Sequence, residues 1–200
     1  MPNDKSATSA RILTSMREEF LSYGYEKASL NRIAKKVGIT TAGLYKHYHG
    51  KEDMFAALVR ETLDGLNTLN VDGMEQLGKD PAEFDPFHEE WSRTLVDFIF
   101  DHYDGAKLLI CCAHGSRFES FEEDLIQREA ESNRQYAELL ARRGKRVKPL
   151  SEMQWHLLST EYIHLVFEIV RHDLTREEAY RHMAFVCALL YPGWKEILGL

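Results

Sequence analysis

The sequence predicts an all-α protein, and three observations carry that reading. Apolar residues recur three and four positions apart along most of the chain, as in Ile12, Met16, Phe20 and Tyr23. Residues suited to starting helices stand ahead of such stripes: Ser29, Thr40, Ser151 and Thr175. Thr175 has Glu178 three positions on, the spacing of a capping box. There is no strand-like alternation and no internal repeat, and the five prolines are scattered rather than clustered.

Taken in order, the N-terminal MPNDKSATSARIL reads as a short polar arm leading into a first helix that Gly24 ends. Leu30, Ile33, Ala34 and Val37 share one face of a second helix, with Asn31, Arg32, Lys35 and Lys36 on the other. Gly38 stands where that helix must stop in a left-handed conformation. Thr40 caps a third helix whose one apolar anchor is Leu44. Lys51, Glu52 and Asp53 open a fourth, where two acids suit the positive helix end, and Met54, Leu58 and Leu66 continue its buried face. Gly73 to Pro86 reads as a breaker-rich connection. Further helices are expected over Phe87 to Tyr103, Gly105 to His114, Ser116 to Arg143, Ser151 to His172 and Thr175 to about Leu198. Gly115 and Ser116 end one helix and cap the next, Arg142 to Pro149 is a basic loop, and Pro192 is expected to kink or break the last helix near Tyr191.

Charge is distributed unevenly. The first sixty residues hold ten Lys and Arg against six Asp and Glu, a balance of +4; the other 140 hold fifteen against twenty-six, a balance of −11, giving the net −7. A basic head on an acidic body fits nucleic-acid binding by the head, with the body suppressing non-specific contact. No apolar run is long enough for a membrane span, and the N-terminus lacks a signal-peptide core. Cys111, Cys112 and Cys187 make no disulfide framework, which fits a reducing cytoplasm.

Ser29 to Lys51, SLNRIAKKVGITTAGLYKHYHGK, is the most informative stretch: two short helices joined by a tight turn, the second with small and polar residues at its start. Such a helix can set its first turn against base edges in a major groove. Phe20, Gly24 and Tyr25 precede it, Leu44 to Tyr48 (LYKHY) close it, and Lys51-Glu52 opens a long helix. From about Ile12 to Val59 this pattern resembles the TetR family of bacterial regulators. The resemblance implies a three-helix DNA-binding domain over 1–50 and a larger helical effector-binding and dimerisation domain over 51–200, about nine helices in all. It implies a homodimer on a palindromic double-stranded operator, most simply a repressor released by a small-molecule effector, with an activator or a ligand-independent DNA-binding protein as alternatives.

Carried over by that resemblance, Thr40, Thr41 and Gly43 lie nearest base edges, Tyr45 and Lys46 contact bases or phosphates, and His47 and Tyr48 end the recognition helix. Tyr48 has packing inward as its alternative. Lys51 reads as a phosphate site at a helix N-terminus, and Ser29 and Asn31 as backbone or flanking contacts. Between Phe87 and Phe167, aromatic residues interleave with His88, His102, His114, His156 and His164, a composition suited to a small-molecule pocket and equally to core packing. The candidate effector residues are Phe98, His102, Cys112, Phe118, Phe121, Tyr136 and Tyr162.

Two coiled-coil-like seams complete the reading. One runs through Trp155, Tyr162, Val166 and Ile169. The other runs through Ala179, Met183, Val186, Leu190, Gly193 and Ile197. With the resemblance, Trp155, Tyr162, Val166, Ile169, Met183, Val186, Leu190 and Ile197 are the candidate dimer residues. His102, Cys111, Cys112 and His114 match no metal-site spacing, so neither metal nor cofactor is expected and a thiol or metal sensor is the weaker reading. No nucleophile elbow, phosphate loop or metalloprotease helix is present, and enzymatic activity is not expected.

Overall fold

The structure, a computed structural model, describes residues 3–79 and 89–200. Among these, nine α-helices and no strand occur. Helix α1 covers Asn3–Lys27, α2 Leu30–Val37, α3 Thr41–Leu44, α4 Lys51–Lys79, α5 Glu89–Asp101, α6 Tyr103–Cys111, α7 Phe121–Arg142, α8 Glu152–Arg171 and α9 Arg176–Leu198. None of the described helices is long and apolar enough to cross a membrane.

Packing divides the chain into two compact units. One holds Met1–Asp64 with His102–Ser120; the other holds Gly65–Asp101 with Phe121–Leu200. The division falls inside α4, so the 1–50 and 51–200 partition expected from the sequence does not coincide with it.

In the first unit, Ile12, Met16 and Phe20 of α1 are wholly buried with Ile33, Leu44, Met54 and Phe55. The expected polar arm is helical from Asn3, because the Ser- and Ala-containing residues before Ile12 carry no helix breaker. Gly24 ends the regular run of α1, as expected, with the non-helical φ 70° and ψ 168°, and the chain kinks there into a last short turn to Lys27. The Tyr25 N–H freed at this kink donates to the Cys112 carbonyl at 2.8 Å, so no buried donor is orphaned. Beyond the kink, Phe20, Tyr25 and Phe55 form a three-ring cluster, with Phe20–Phe55 and Tyr25–Phe55 edge-on at 5.2 and 5.5 Å. The Tyr25 hydroxyl donates to Glu52 Oε2 at 2.6 Å, and the Arg117 N–H donates to Glu52 Oε1 at 3.2 Å. Gly105 of α6 lies so close to α4 that a Cβ there would stand 1.9 Å from Thr62 Oγ1. Gly115 turns the chain at φ 80° after α6. The Ser116 hydroxyl organises the turn by accepting from the Phe118 N–H, and α7 starts at Phe121, five residues later than expected.

In the second unit, α7 and α8 are joined through a core of Tyr136, Ala137, Leu140, Trp155, Trp194 and Leu198. Trp155 stacks on Trp194 at 6.1 Å. Ser151 and Thr175 cap α8 and α9, each in a complete capping box. Two corrections concern helix breakers. Residues Gly73–Lys79 continue α4, and the rest of the expected connection, 80–86, lies outside the described residues, as do Phe87 and His88. Pro192 sits inside α9, which runs on to Leu198. Burial of Trp194 and Leu198 on the far side of the proline holds the helix together against the missing hydrogen bond. The loop before α8 is pinned to the end of α9 by Lys148, whose N–H donates to the Ile197 carbonyl at 2.7 Å and whose ammonium pairs with Glu196 at 2.5 Å.

Gly105→Ala is expected to cost about 1–3 kcal/mol by overpacking. Adding Thr62→Ala should recover part of that, since the Cβ of residue 62 remains 3.0 Å away. Urea unfolding midpoints of the single and double variants check this, and an unchanged Gly105→Ala midpoint would contradict the close approach. A second expectation concerns pH. Burial, and then the bond to Glu52, push the Tyr25 phenol up to about 12 from 10.0. The folded state therefore holds this proton longer than the unfolded chain. The contribution is complete below about pH 10 and is lost as pH rises towards about 12. Tyr25→Phe should lose stability less steeply than the parent across that window in pH-dependent thermal unfolding; parallel curves would remove the assignment.

Candidate nucleic-acid interface

The interface is built on α2 and α3. Ser29 takes an extended conformation and its hydroxyl accepts from the Arg32 N–H at 3.4 Å. At the other end of α2, Gly38 adopts φ 78° and ψ 32°; its N–H and that of Ile39 both return to the Ala34 carbonyl at 3.0 Å. This left-handed cap makes the turn tight. Thr40 then caps α3, accepting from the Gly43 N–H at 3.0 Å. Regular helix lasts only from Thr41 to Leu44. Past it, a continuing turn places the N–H groups of His47 and Tyr48 on the Leu44 carbonyl. Leu44 is fully buried and anchors the helix.

The candidate DNA residues fall into three groups. Thr40, Lys46, His47 and Tyr45 are exposed, Tyr45 by half, and Thr41 and Gly43 are partly so. These six form a contiguous face at the start and outer side of α3. Asn31 and Thr41 meet across the turn, the Thr41 hydroxyl donating to Asn31 Oδ1 at 2.9 Å. Ser29, Tyr48 and Lys51 are placed otherwise. Ser29 is engaged as a cap. Tyr48 is half-buried, and burial raises its phenol above the ordinary value. The Lys51 ammonium donates to the carbonyls of Glu26 at 3.0 Å and Ala28 at 3.5 Å and lies 4.6 Å from the Tyr25 ring centroid. It closes the end of α1 instead of standing free.

Acids on α1 take up two of the cations of α2. Glu19 is buried; one of its oxygens lies 2.5 Å from the Arg32 guanidinium and 2.8 Å from the Ser29 nitrogen. Arg32 also packs over Tyr23 at 4.2 Å and donates to the Lys27 carbonyl. Lys36 pairs with Glu18. The sequence reading missed these pairs, although Glu18-Glu19 opposite a basic helix was the available signal. Lys35 and Lys46 are exposed cations without a partner among the described residues.

The candidate effector residues divide between the two units. His102, Cys112 and Phe118 belong to the first, and Phe98, Phe121, Tyr136 and Tyr162 to the second. Phe118 packs on Phe55 at 5.9 Å, Phe121 stacks on Phe167 at 6.2 Å, and Tyr136 is part of the tryptophan core. The Cys112 thiol is pushed up by burial and then by Cys111, which lowers rather than raises its reactivity. Among the described residues, no group of three or more His, Cys, Asp and Glu side chains could hold a metal ion.

The candidate dimer residues lie largely inside the chain. Trp155, Val166, Ile169, Met183 and Val186 are buried within this chain, and Tyr162, Leu190 and Ile197 are partly so. Each seam is filled by the protomer's own core, since helices packed on several sides carry more than one apolar stripe. On α8 and α9 the large apolar side chains left in solvent are Met153, Leu157, Phe185 and Leu189, between 52% and 64% exposed.

Comparison with known proteins agrees with this geometry. Residues 12–58 match the family described as "Bacterial regulatory proteins, tetR family". The HTH-type transcriptional repressor AcnR of Corynebacterium diphtheriae is 38% identical over 87 residues, 43% of this chain and 45% of that protein. The chain spans about half the length of most of the curated relatives it matches. The uncharacterized HTH-type transcriptional regulator TtgW of Pseudomonas putida is matched further: 35% identity over 119 residues, 60% of this chain and 72% of that one. A TetR-like transcriptional regulator from Rhodococcus sp. RHA1 shares the fold, with a TM-score of 0.57 and 16% identity over 96% of this chain and 97% of that one. The TtgW match extends the similarity well past the helix-turn-helix, and the chain belongs to the TetR family.

Proposed function

We propose that the chain is a DNA-binding transcriptional repressor that reads a palindromic operator as a homodimer and is released by a small-molecule effector. The observation that carries this is the outer face of α3: Thr40, Thr41, Gly43, Tyr45 and Lys46 stand accessible on a turn whose ends are both capped. A rigid element presenting small residues first and a cation last can bring its N-terminal turn against base edges while Lys46 meets a phosphate. The repressor sign follows the relatives named as repressors.

Two further observations support the remaining parts. One head buries too little DNA for specificity, so two copies on half-sites about 34 Å apart are needed. The stripe of Met153, Leu157, Phe185 and Leu189 offers the apolar surface on which two copies would join. An effector that binds better to the form unable to hold DNA shifts the population towards release. In this reading the coupling runs along α4, which is continuous across Asp64 and Gly65.

Operator selection followed by mobility shift tests the reading. Lys46→Ala is expected to weaken binding to all sequences and to lower the salt slope by about one, while Tyr45→Ala changes preference among operators. Unchanged binding by both would remove α3 as the reading element. Phe185→Glu with Leu189→Glu should convert the dimer to monomer in analytical ultracentrifugation and abolish the discrete complex; a dimer that survives both charges places the interface elsewhere.

A further inference from the structure

One acid in the second unit is enclosed with no cation beside it among the described residues. Helix α7 carries Glu122, Glu131 and Glu138, each paired with a cation: Glu122 with Arg171 and His164, Glu131 and Glu138 with Arg134. Glu129, on the same helix, faces the interior, and its one hydrogen-bond partner is the Asn133 amide, donating to Oε1 at 3.2 Å. No Lys, Arg or His forms an ion pair with it among the described residues. An enclosed carboxylate with no cation is a net cost to folding, and an apolar side chain of similar volume would serve the core better.

Helix registers show what surrounds it. Arg171 meets Glu122, and the Asn133 amide donates to the fully buried Ser159 hydroxyl at 3.3 Å. The two pairings set an antiparallel register for α7 and α8 that puts Glu129 opposite Ile163 and His164, within one residue of Tyr162. His182 Nε2 meets the Leu165 carbonyl at 2.7 Å, which brings Cys187 of α9 within a helical turn of Tyr162. Tyr180 donates to Asp97, which aligns Trp91 of α5 with Cys187. One layer of the bundle thus holds Glu129, Asn133, Ser159, Tyr162, Cys187 and Trp91. Glu129 and Tyr162 are largely enclosed by protein and keep only part of their surface accessible. Burial pushes the Glu129 carboxyl upward. It does the same to the Tyr162 phenol, on which the charges of Glu129 and Cys187 also act.

We infer that this layer is the effector site and that its ligand is a hydrophobic organic amine, whose ammonium group pairs with Glu129 beside the Tyr162 ring. The cation supplies the charge partner that Glu129 lacks among the described residues, the aromatic ring favours it further, and the apolar neighbours take the ligand's body. The inference rests on the ligand-release reading for its purpose but not for its test.

The test uses the full-length protein and a series of phenylalkylamines, from phenylethylamine to 6-phenylhexylamine, each against the matched alcohol, read by thermal shift. Amines at about 100 times their Kd should raise Tm by about 5–10 °C, with the alcohols well behind. Glu129→Gln should weaken amine binding by about tenfold or more and leave alcohol binding unchanged. Glu123→Gln, at an exposed position on the same helix, should behave as the parent. Equal shifts from amines and alcohols across the series in the parent protein would overturn the inference even if Glu129→Gln failed to fold, and so would an amine preference that survives Glu129→Gln. Operator release is read separately by mobility shift. Amine binding that needs Glu129 but releases no DNA upholds the site and removes the release mechanism. Release driven equally by the alcohols removes the amine site and leaves the mechanism standing.

Discussion

The head depends on how the end of α1 meets the start of α4. Three elements converge there: the Phe20–Tyr25–Phe55 ring cluster, the Tyr25 hydroxyl on Glu52, and the Lys51 ammonium on the carbonyls that end α1. The kink at Gly24 makes the meeting possible. With φ at 70°, the chain turns Tyr25 back over Phe55 and still satisfies the N–H it exposes, on the Cys112 carbonyl. A side chain at position 24 would strain that conformation. Tyr25 therefore links the end of α1 to the first turn of α4 and to the turn after α6, and the orientation of α2 and α3 follows from the wall that α1 presents to them.

Charge in the head is arranged by the same geometry. A count of basic residues overstates what DNA can meet. Glu19 and Glu18 take up Arg32 and Lys36, and Lys51 is held by backbone carbonyls. Around α3, Lys35 and Lys46 remain outward among the described residues, with the neutral polar start of α3. An interface with few free cations leans more on fit at the base edges than on counterion release. In such an interface the sequence-dependent share of binding rests on Thr40, Thr41, Gly43 and Tyr45.

Local rules made much of the fold legible. Caps at Ser29, Thr40, Ser151 and Thr175 and the left-handed turn at Gly38 stand where the sequence places them, because each depends on a few adjacent residues. The misreadings occur where tertiary packing overrides a local preference. Pro192 stays inside a helix, and α4 passes through Gly73. The small and polar residues expected on α3 are accessible there. The engagement of Lys51 was not, since the carbonyls it meets lie about twenty-five residues away. The apolar seams were seen correctly as seams, but a heptad spacing does not say which of two stripes faces inward. Trp155, Met183 and Val186 fill the protomer's own core, and Leu157, Phe185 and Leu189 stay outside.

The same distinction between what packing needs and what it leaves over isolates Glu129. Along α7, acids at 122, 131 and 138 each answer a cation, as expected where a charged stripe is part of the fold. Glu129 answers none among the described residues, yet the layer around it is kept polar at four further positions by Asn133, Ser159, Tyr162 and Cys187. Ser159 is bonded to Asn133, and Asn133 to Glu129, so the first two groups are satisfied and orient the carboxylate. A bundle could pack this layer with aliphatic residues at lower cost. A fixed, oriented carboxylate next to an aromatic ring is instead the arrangement that recognition of an organic cation requires, and it lies inside the unit where the tryptophan core supplies the rigidity to hold it in place.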